Sequence, residues 1–360
     1  QLAPEAVTTL QDLRAMKGAA ADIRAGGNIS ADYAAIVKAN PTTVAALDGL
    51  VQSGTGGLVD YNYFSVGSGA AAVLYPKDND SLNFATTYYN IETAYLFFQQ
   101  FSAQLAQPIP VYYLPVLSAE PGTVTSVTDF GITDPPLGIV VIQAVDAPAG
   151  QGLPPGLQPG IQAYEYASNV FDVQAFGSEG LPDVDVSYSE APTMWAQSLN
   201  LTRSFRAGFS DFFAAAIVGD PEYVHTTGTT VDTTRQLDPP APRCYAAETI
   251  DLTSPRETYD PHPLGAIISS VLWDTEANRA DEQQQFNQSV VAAAKAYGAA
   301  LQMQGASLTL AQAVNAVAGA LYPDLQPRLC GTFADRLGLA QTDLPSCMSF
   351  ATPEMSCAAQ

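Results

Sequence analysis

Apolar periodicity changes partway along this 360-residue chain, and the change constrains what it can fold into. From residue 201 onward apolar side chains recur at helical spacing, which predicts helices over 204–218, 263–273, 286–304, 308–321 and 331–338. Ahead of that point the signals are mixed. Residues 54–76 alternate glycine punctuation with short aromatic or β-branched runs, which suits hairpin strands, and 109–117 and 138–144 read as further strands. Between them Tyr88, Ile91, Ala94, Tyr95, Phe98 and Phe101 share one stripe of a helix running from Asn83 to Leu105, a stripe whose simplest role is core packing. Residues 3–25 are Ala-rich, space Leu10, Leu13, Met16, Ala20 and Ile23 like a helix face, and stop at Gly26-Gly27, so they predict a helix. A second short helix over 31–39 stops before Pro41. The resulting organisation is an N-terminal helical segment (1–55), a β-containing N-lobe (56–177) and a helical C-lobe (178–360), with no internal repeat.

Charge narrows the partners. There are 36 Asp and Glu against 14 Lys and Arg, a formal net charge of −22. Such a chain repels phosphate backbones, which argues against nucleic acid, and anionic membrane surfaces are disfavoured for the same reason. The best apolar run, 264–273, falls far short of the roughly 18 residues a membrane span needs. Charged residues make up only 14%, against roughly a quarter in an average domain, so the surface is expected to be neutral and compatible with packing on a partner or on copies of itself. The four cysteines, Cys244, Cys330, Cys347 and Cys357, lie in the last third without a CxxC pair, which favours two disulfides over a metal knuckle. Of the three possible pairings, Cys330–Cys347 with Cys244–Cys357 is preferred. Together with a first residue that is Gln and not Met, this suggests an exported, secreted or cell-surface chain with its leader removed. Sequons occur at Asn28, Asn79, Asn200 and Asn287, as composition alone would produce. Residues 220–262 form a Pro/Thr-rich excursion and 178–200 an acidic, irregular insertion. Its Asp183-Val-Asp185 alternation lacks the glycine and terminal glutamate of a calcium loop.

The most informative segment is 160–177, GIQAYEYASNVFDVQAFG. On a helix, the pattern His-Glu-x-x-His projects two imidazoles from one face onto a single Zn²⁺, while the glutamate acts as general base. The same frame here reads Tyr164-Glu165-Tyr166-Ala167-Ser168. The base position is kept and both ligand positions are changed. A phenol titrates near pH 10, so Tyr164 stays protonated at neutral pH, and the Ser168 hydroxyl is a poor substitute for an imidazole. Without Zn²⁺ nothing lowers the pKa of an attacking water to about 7, and Glu165 reads as a relic.

With that frame identified, the order of segments resembles the gluzincin metallopeptidases, especially their thermolysin-like and fungalysin-like branch. ATTYYNIETAYLFFQQF (85–101) is similar to the family's upstream helix and IQAYEYASNVF (161–171) to its active-site helix. FRAGFSDFFAAAIVGDPEYV (205–224) is similar to the third-ligand helix, and DPHPLGAIISSVLWD (260–274) to the segment that carries a transition-state histidine. The resemblance implies an α+β, thermolysin-like fold, with a β-containing N-terminal lobe, a mainly helical C-terminal lobe and the former active-site helix between them. It puts Tyr164, Ser168 and Ala207 at the three metal-ligand positions, where none can serve, with Arg206 adding positive charge beside the third. Glu165, Asp211 and His262 fall at the positions of the general base, the supporting carboxylate and the histidine.

The resemblance and these losses together imply a pseudopeptidase without a metal cofactor, kept for binding a protein or peptide or for structural self-assembly. An active metal-dependent peptidase with non-standard ligands, and a decoy or inhibitor of a true peptidase, are the alternatives. A carboxylate that has lost its metal needs new partners, so Tyr164, Ser168 and His262 are expected to form hydrogen bonds around Glu165 or Asp211. The remaining histidine, His225, reads as a surface residue. No Gly-x-Ser-x-Gly elbow, P-loop or dinucleotide fingerprint is present.

Overall fold

The computed structural model describes residues 7–25, 28–29, 51–52, 59–68, 72–113, 116–120, 123–124, 139–141, 158–177, 193–224, 234–254, 258–276, 282–353 and 355–357. The helix expected over 31–39, the Asp183/Asp185 loop and His225 lie outside these residues. The protein is α+β. It divides into two compact units, Gln1–Asn169 with His225–Thr230, and Val170–Val224 with Val231–Gln360.

In the first unit, β1 (Leu10–Asp12), β2 (Lys17–Gly18), β3 (Ala21–Ala25), β8 (Ile109–Tyr113) and β11 (Ile139–Val141) form a five-stranded sheet in that order. The β1–β2 and β2–β3 pairs are antiparallel, while β8 lies parallel to both β3 and β11. All five residues of β8 are buried, as its unbroken apolar run IPVYY requires of a central parallel strand. A four-stranded sheet has the order β10 (Thr123–Val124), β9 (Val116–Glu120), β4 (Asn28–Ile29), β5 (Val51–Gln52). The single strand expected over 109–117 is therefore two, β8 and β9, in separate sheets; Pro115 between them cannot donate to a ladder. β6 (Tyr63–Val66) and β7 (Val73–Pro76) make the expected antiparallel hairpin. Helix α1 (Asn79–Gln99) follows, its N-terminus capped by Asp78, which accepts from the Ser81 amide at 2.7 Å.

The helix expected over 3–25 is instead β1 to β3. Asp12 accepts from the amides of Arg14 and Ala15, turning the chain, and Met16 takes a left-handed φ of 47°. Lys17 and Asp22 then meet across the β2–β3 pair at 2.8 Å. The small residues serve close packing: a Cβ on Gly18 would lie 2.1 Å from the Tyr88 hydroxyl of α1, and Ala20 and Ala21 are fully covered. Glu92, buried on α1, accepts from the Thr8 amide at 2.8 Å and from the Thr9 amide, pinning the start of this segment.

Helix α2 (Pro159–Phe176) begins in the first unit and ends in the second. The second unit continues with α3 (Thr193–Val218), α4 (His262–Glu276), α5 (Gln283–Gln304), α6 (Leu310–Ala320) and α7 (Gln326–Leu337). Because α3 starts at Thr193, the last part of the insertion expected over 178–200 is helical. Asn200 shows why: its amide donates to the carbonyls of Leu252 and Ser254 at 3.0 and 2.9 Å, tying α3 to the excursion that follows it. Asn200 and Asn287 are both buried, so neither sequon presents its amide at the surface.

Phe171, Phe205, Phe209 and Tyr297 pack ring against ring at the centre of this unit, with Phe205 and Tyr297 stacked 4.8 Å apart. Thr309 and Gln312 form a capping box at the start of α6. The four cysteines pair as preferred from the sequence, Cys244 with Cys357 and Cys330 with Cys347. The C-terminal segment lies along α7, where Asp335 accepts from Ser356 Oγ at 2.6 Å and from the Cys357 amide at 2.7 Å. Among the described residues no helix is long and apolar enough to cross a membrane.

Candidate functional site

Helix α2 is covered on nearly every side, yet it is not uniformly apolar. Gln158, Gln162, Glu165, Asn169 and Asp172 recur at four- and three-residue steps and are all buried. That spacing places them on one face, so a polar stripe runs the length of a helix whose other faces carry Ala163, Tyr166, Ala167, Val170 and Phe171 into apolar packing. Glu165 is 4% exposed and Ser168 1%, while Tyr164 is half-buried. The Asn169 side-chain amide donates to the Glu165 carbonyl at 2.9 Å. Tyr166, one step round from Glu165, turns towards α1: its ring lies 5.9 Å from that of Phe98, its hydroxyl accepts from the Leu105 amide at 3.1 Å, and burial pushes its pKa well above the ordinary phenol value.

In the second unit, α3 carries Arg206, Ala207 and Asp211 and α4 opens with His262. Ala207 faces α4. A Cβ added to Gly265 would lie 2.9 Å from the Ala207 Cβ, and one added to Gly208 would lie 2.8 Å from the Gly265 carbonyl. The two helices therefore cross almost backbone to backbone, and a methyl group is about all this seam can hold at position 207. Arg206, the neighbour of Ala207, pairs with Asp172 of α2 at 3.1 Å; its side chain is 16% exposed and that of Asp172 1%.

Asp211, fully buried, takes its partners from the chain beyond α3. The Tyr223 hydroxyl donates to its Oδ1, and Arg235 donates to the same oxygen through Nη2 at 2.6 Å and Nε at 3.1 Å. Arg235 also donates to the Tyr223 hydroxyl at 2.8 Å and lies over the Tyr223 ring, 5.6 Å from its centre. Asp211 is thus held by a tyrosine and an arginine. His262 is half-buried at the first turn of α4, its backbone amide bonded to Asp260 at 2.9 Å.

The residues matched to a peptidase site are thus distributed: Tyr164, Glu165 and Ser168 within the first unit, Ala207, Asp211 and His262 within the second. Asp172, Tyr223 and Arg235 belong to no motif that the sequence displays. A signal for Asp172 exists, since it stands seven residues after Glu165 on the same helix face. Arg235 could have been suspected because cations are scarce here, 14 against 36 acids, so a buried carboxylate has few available partners. Among the described residues no group of three or more His, Cys, Asp and Glu side chains is placed to hold a metal ion. No family model matches this chain, and no curated protein matches it.

Proposed function

We propose that this chain is a metallopeptidase-like protein that binds extended peptides without cleaving them, and that it acts outside the cell or at its surface. The observation that carries the reading is the setting of Ala207. The position at which the resemblance calls for a ligating carboxylate is a methyl group seated against Gly265, with neither the donor nor the space for one. Tyr164 and Ser168 at the other two ligand positions bring a phenol and an alcohol in place of imidazoles. Asp211 pairs with Arg235, and Asp172 with Arg206, so these two buried acids are committed to protein cations. Two disulfides favour an oxidising compartment.

For the binding role, β11 is the last strand of its sheet among the described residues, and such an edge accepts an extended segment through main-chain hydrogen bonds. The overall charge of −22 favours segments rich in Lys and Arg. A library of unstructured peptides, incubated with purified protein with and without added Zn²⁺ and followed by mass spectrometry, tests both halves. The expected result is retention of a subset enriched in basic residues with every peptide intact. Cleavage that depends on Zn²⁺, or no retention of any peptide, contradicts the proposal.

A further inference from the structure

We propose that Met303, Met348 and Met355 are a set of surface thioethers that take oxygen from hydrogen peroxide, and that the chain carries the resulting sulfoxides without losing its fold. Among the described residues of the second unit three large apolar side chains are exposed, and all three are methionine. Met348 is 92% exposed, Met303 80% and Met355 38%, while every leucine, isoleucine, valine and phenylalanine whose burial is described there is at least partly covered. An apolar side chain gains nothing from facing water, so the same residue type at all three places points to its sulfur. The two disulfides take up all four cysteines, so no thiol competes for the oxidant, and they favour an oxidising compartment.

Charge selects the oxidant. At −22 the chain repels anionic oxidants such as hypochlorite, whereas hydrogen peroxide is neutral and approaches freely. In each step the methionine sulfur attacks one peroxide oxygen. The S–O bond forms as the O–O bond breaks, the sulfur is oxidised by two electrons, and the departing hydroxide takes the proton of the transferred oxygen and leaves as water. A sulfoxide damages a protein where the methionine is buried in a core or an interface. Here Met303 stands on the last turn of α5, and Met348 and Met355 lie on a C-terminal segment stapled at Cys347 and Cys357. Between those two methionines the Ala351 amide donates to the Pro327 carbonyl at 2.8 Å, so the segment is held by groups that this oxidation leaves alone. Met16 is the contrast: it is 2% exposed at its left-handed turn in the first unit, and an oxidant reaches it only when that unit opens. The inference is independent of the peptide-binding reading.

Graded hydrogen peroxide added to the full chain, with each methionine followed by peptide mapping and mass spectrometry, tests it. Met303 and Met348 are expected to oxidise first and Met355 next, with Met16 slower than Met303 by at least about tenfold. Once all three sulfoxides have formed, circular dichroism and melting temperature should match those of the untreated chain. Met303→Leu, Met348→Leu and Met355→Leu combined should remove the fast phase of peroxide uptake and leave the fold intact. Oxidation of Met16 as fast as that of Met303 overturns the proposal, as does a melting temperature that falls once the three are oxidised. A leucine variant that takes up peroxide as fast as the natural chain overturns it too.

Discussion

At the scale of single residues, the side chains that matter are those whose surroundings forbid the chemistry their position suggests. Ala207→Glu restores the missing ligand type on paper, but it forces a carboxylate into the α3–α4 seam against Gly265. The loss of stability should exceed about 3 kcal/mol in urea unfolding, from overpacking together with burial of a charge. Arg206→Ala leaves the buried Asp172 carboxylate without its cation and should cost about 3–5 kcal/mol; Arg206→Met combined with Asp172→Leu should cost less. The buried phenols give a pH signature. Burial pushes Tyr259 up to about 12, against the relief of its 2.7 Å hydrogen bond with Ser204, and burial holds Tyr166 and Tyr297 higher still. Unfolded, each phenol ionises near pH 10, so above that pH the folded state binds more protons than the unfolded one. Their contribution is fully present below about pH 10 and falls by about 1.4 kcal/mol per phenol per pH unit as pH rises towards about 12. Thermal melts followed through phenolate absorbance should show ionisation of these groups coinciding with unfolding.

At the scale of elements, Gly18→Ala probes why the N-terminal segment is sheet and not helix. The new methyl would meet the Tyr88 hydroxyl and the Thr9 carbonyl at 2.1 and 2.2 Å, and a melting-temperature shift equivalent to about 2–3 kcal/mol is expected. The small residues of 7–25 fit the narrow space beside α1, whereas local propensity alone reads them as helix formers. Long amphipathic elements are legible in the sequence: α1, α3 and α4 to α7 all occur where their apolar spacing puts them, though α3 starts earlier because Asn200 has distant carbonyl partners. The hairpin is legible from its glycines and aromatic runs. At the candidate site, the helix carrying Glu165 is readable from its likeness to the His-Glu-x-x-His frame, but the partners of the buried acids are not. Asp211 finds Tyr223 and Arg235 at sequence separations of 12 and 24, beyond the reach of any local pattern.

At the scale of the whole molecule, the acids outnumber the cations, and several of the few arginines are committed to carboxylates within the fold: Arg206 to Asp172, Arg235 to Asp211, Arg336 to Asp274. What remains outside is a strongly negative chain whose C-terminal segment is stapled by two disulfides, one spanning 113 residues and one 17. Closing the longer loop restricts the unfolded chain more, so the Cys244–Cys357 bond contributes the greater share of that stabilisation. The proposed function rests on the positions matched to the zinc ligands no longer holding a cation that could activate water. Dialysis of the purified protein against trace Zn²⁺ at neutral pH, with metal content read by mass spectrometry alongside hydrolysis of an unstructured peptide, is the decisive measurement. Metal well below one equivalent and intact peptide are expected; one tightly held Zn²⁺ per chain, with cleavage that a chelator stops, would refute the proposal.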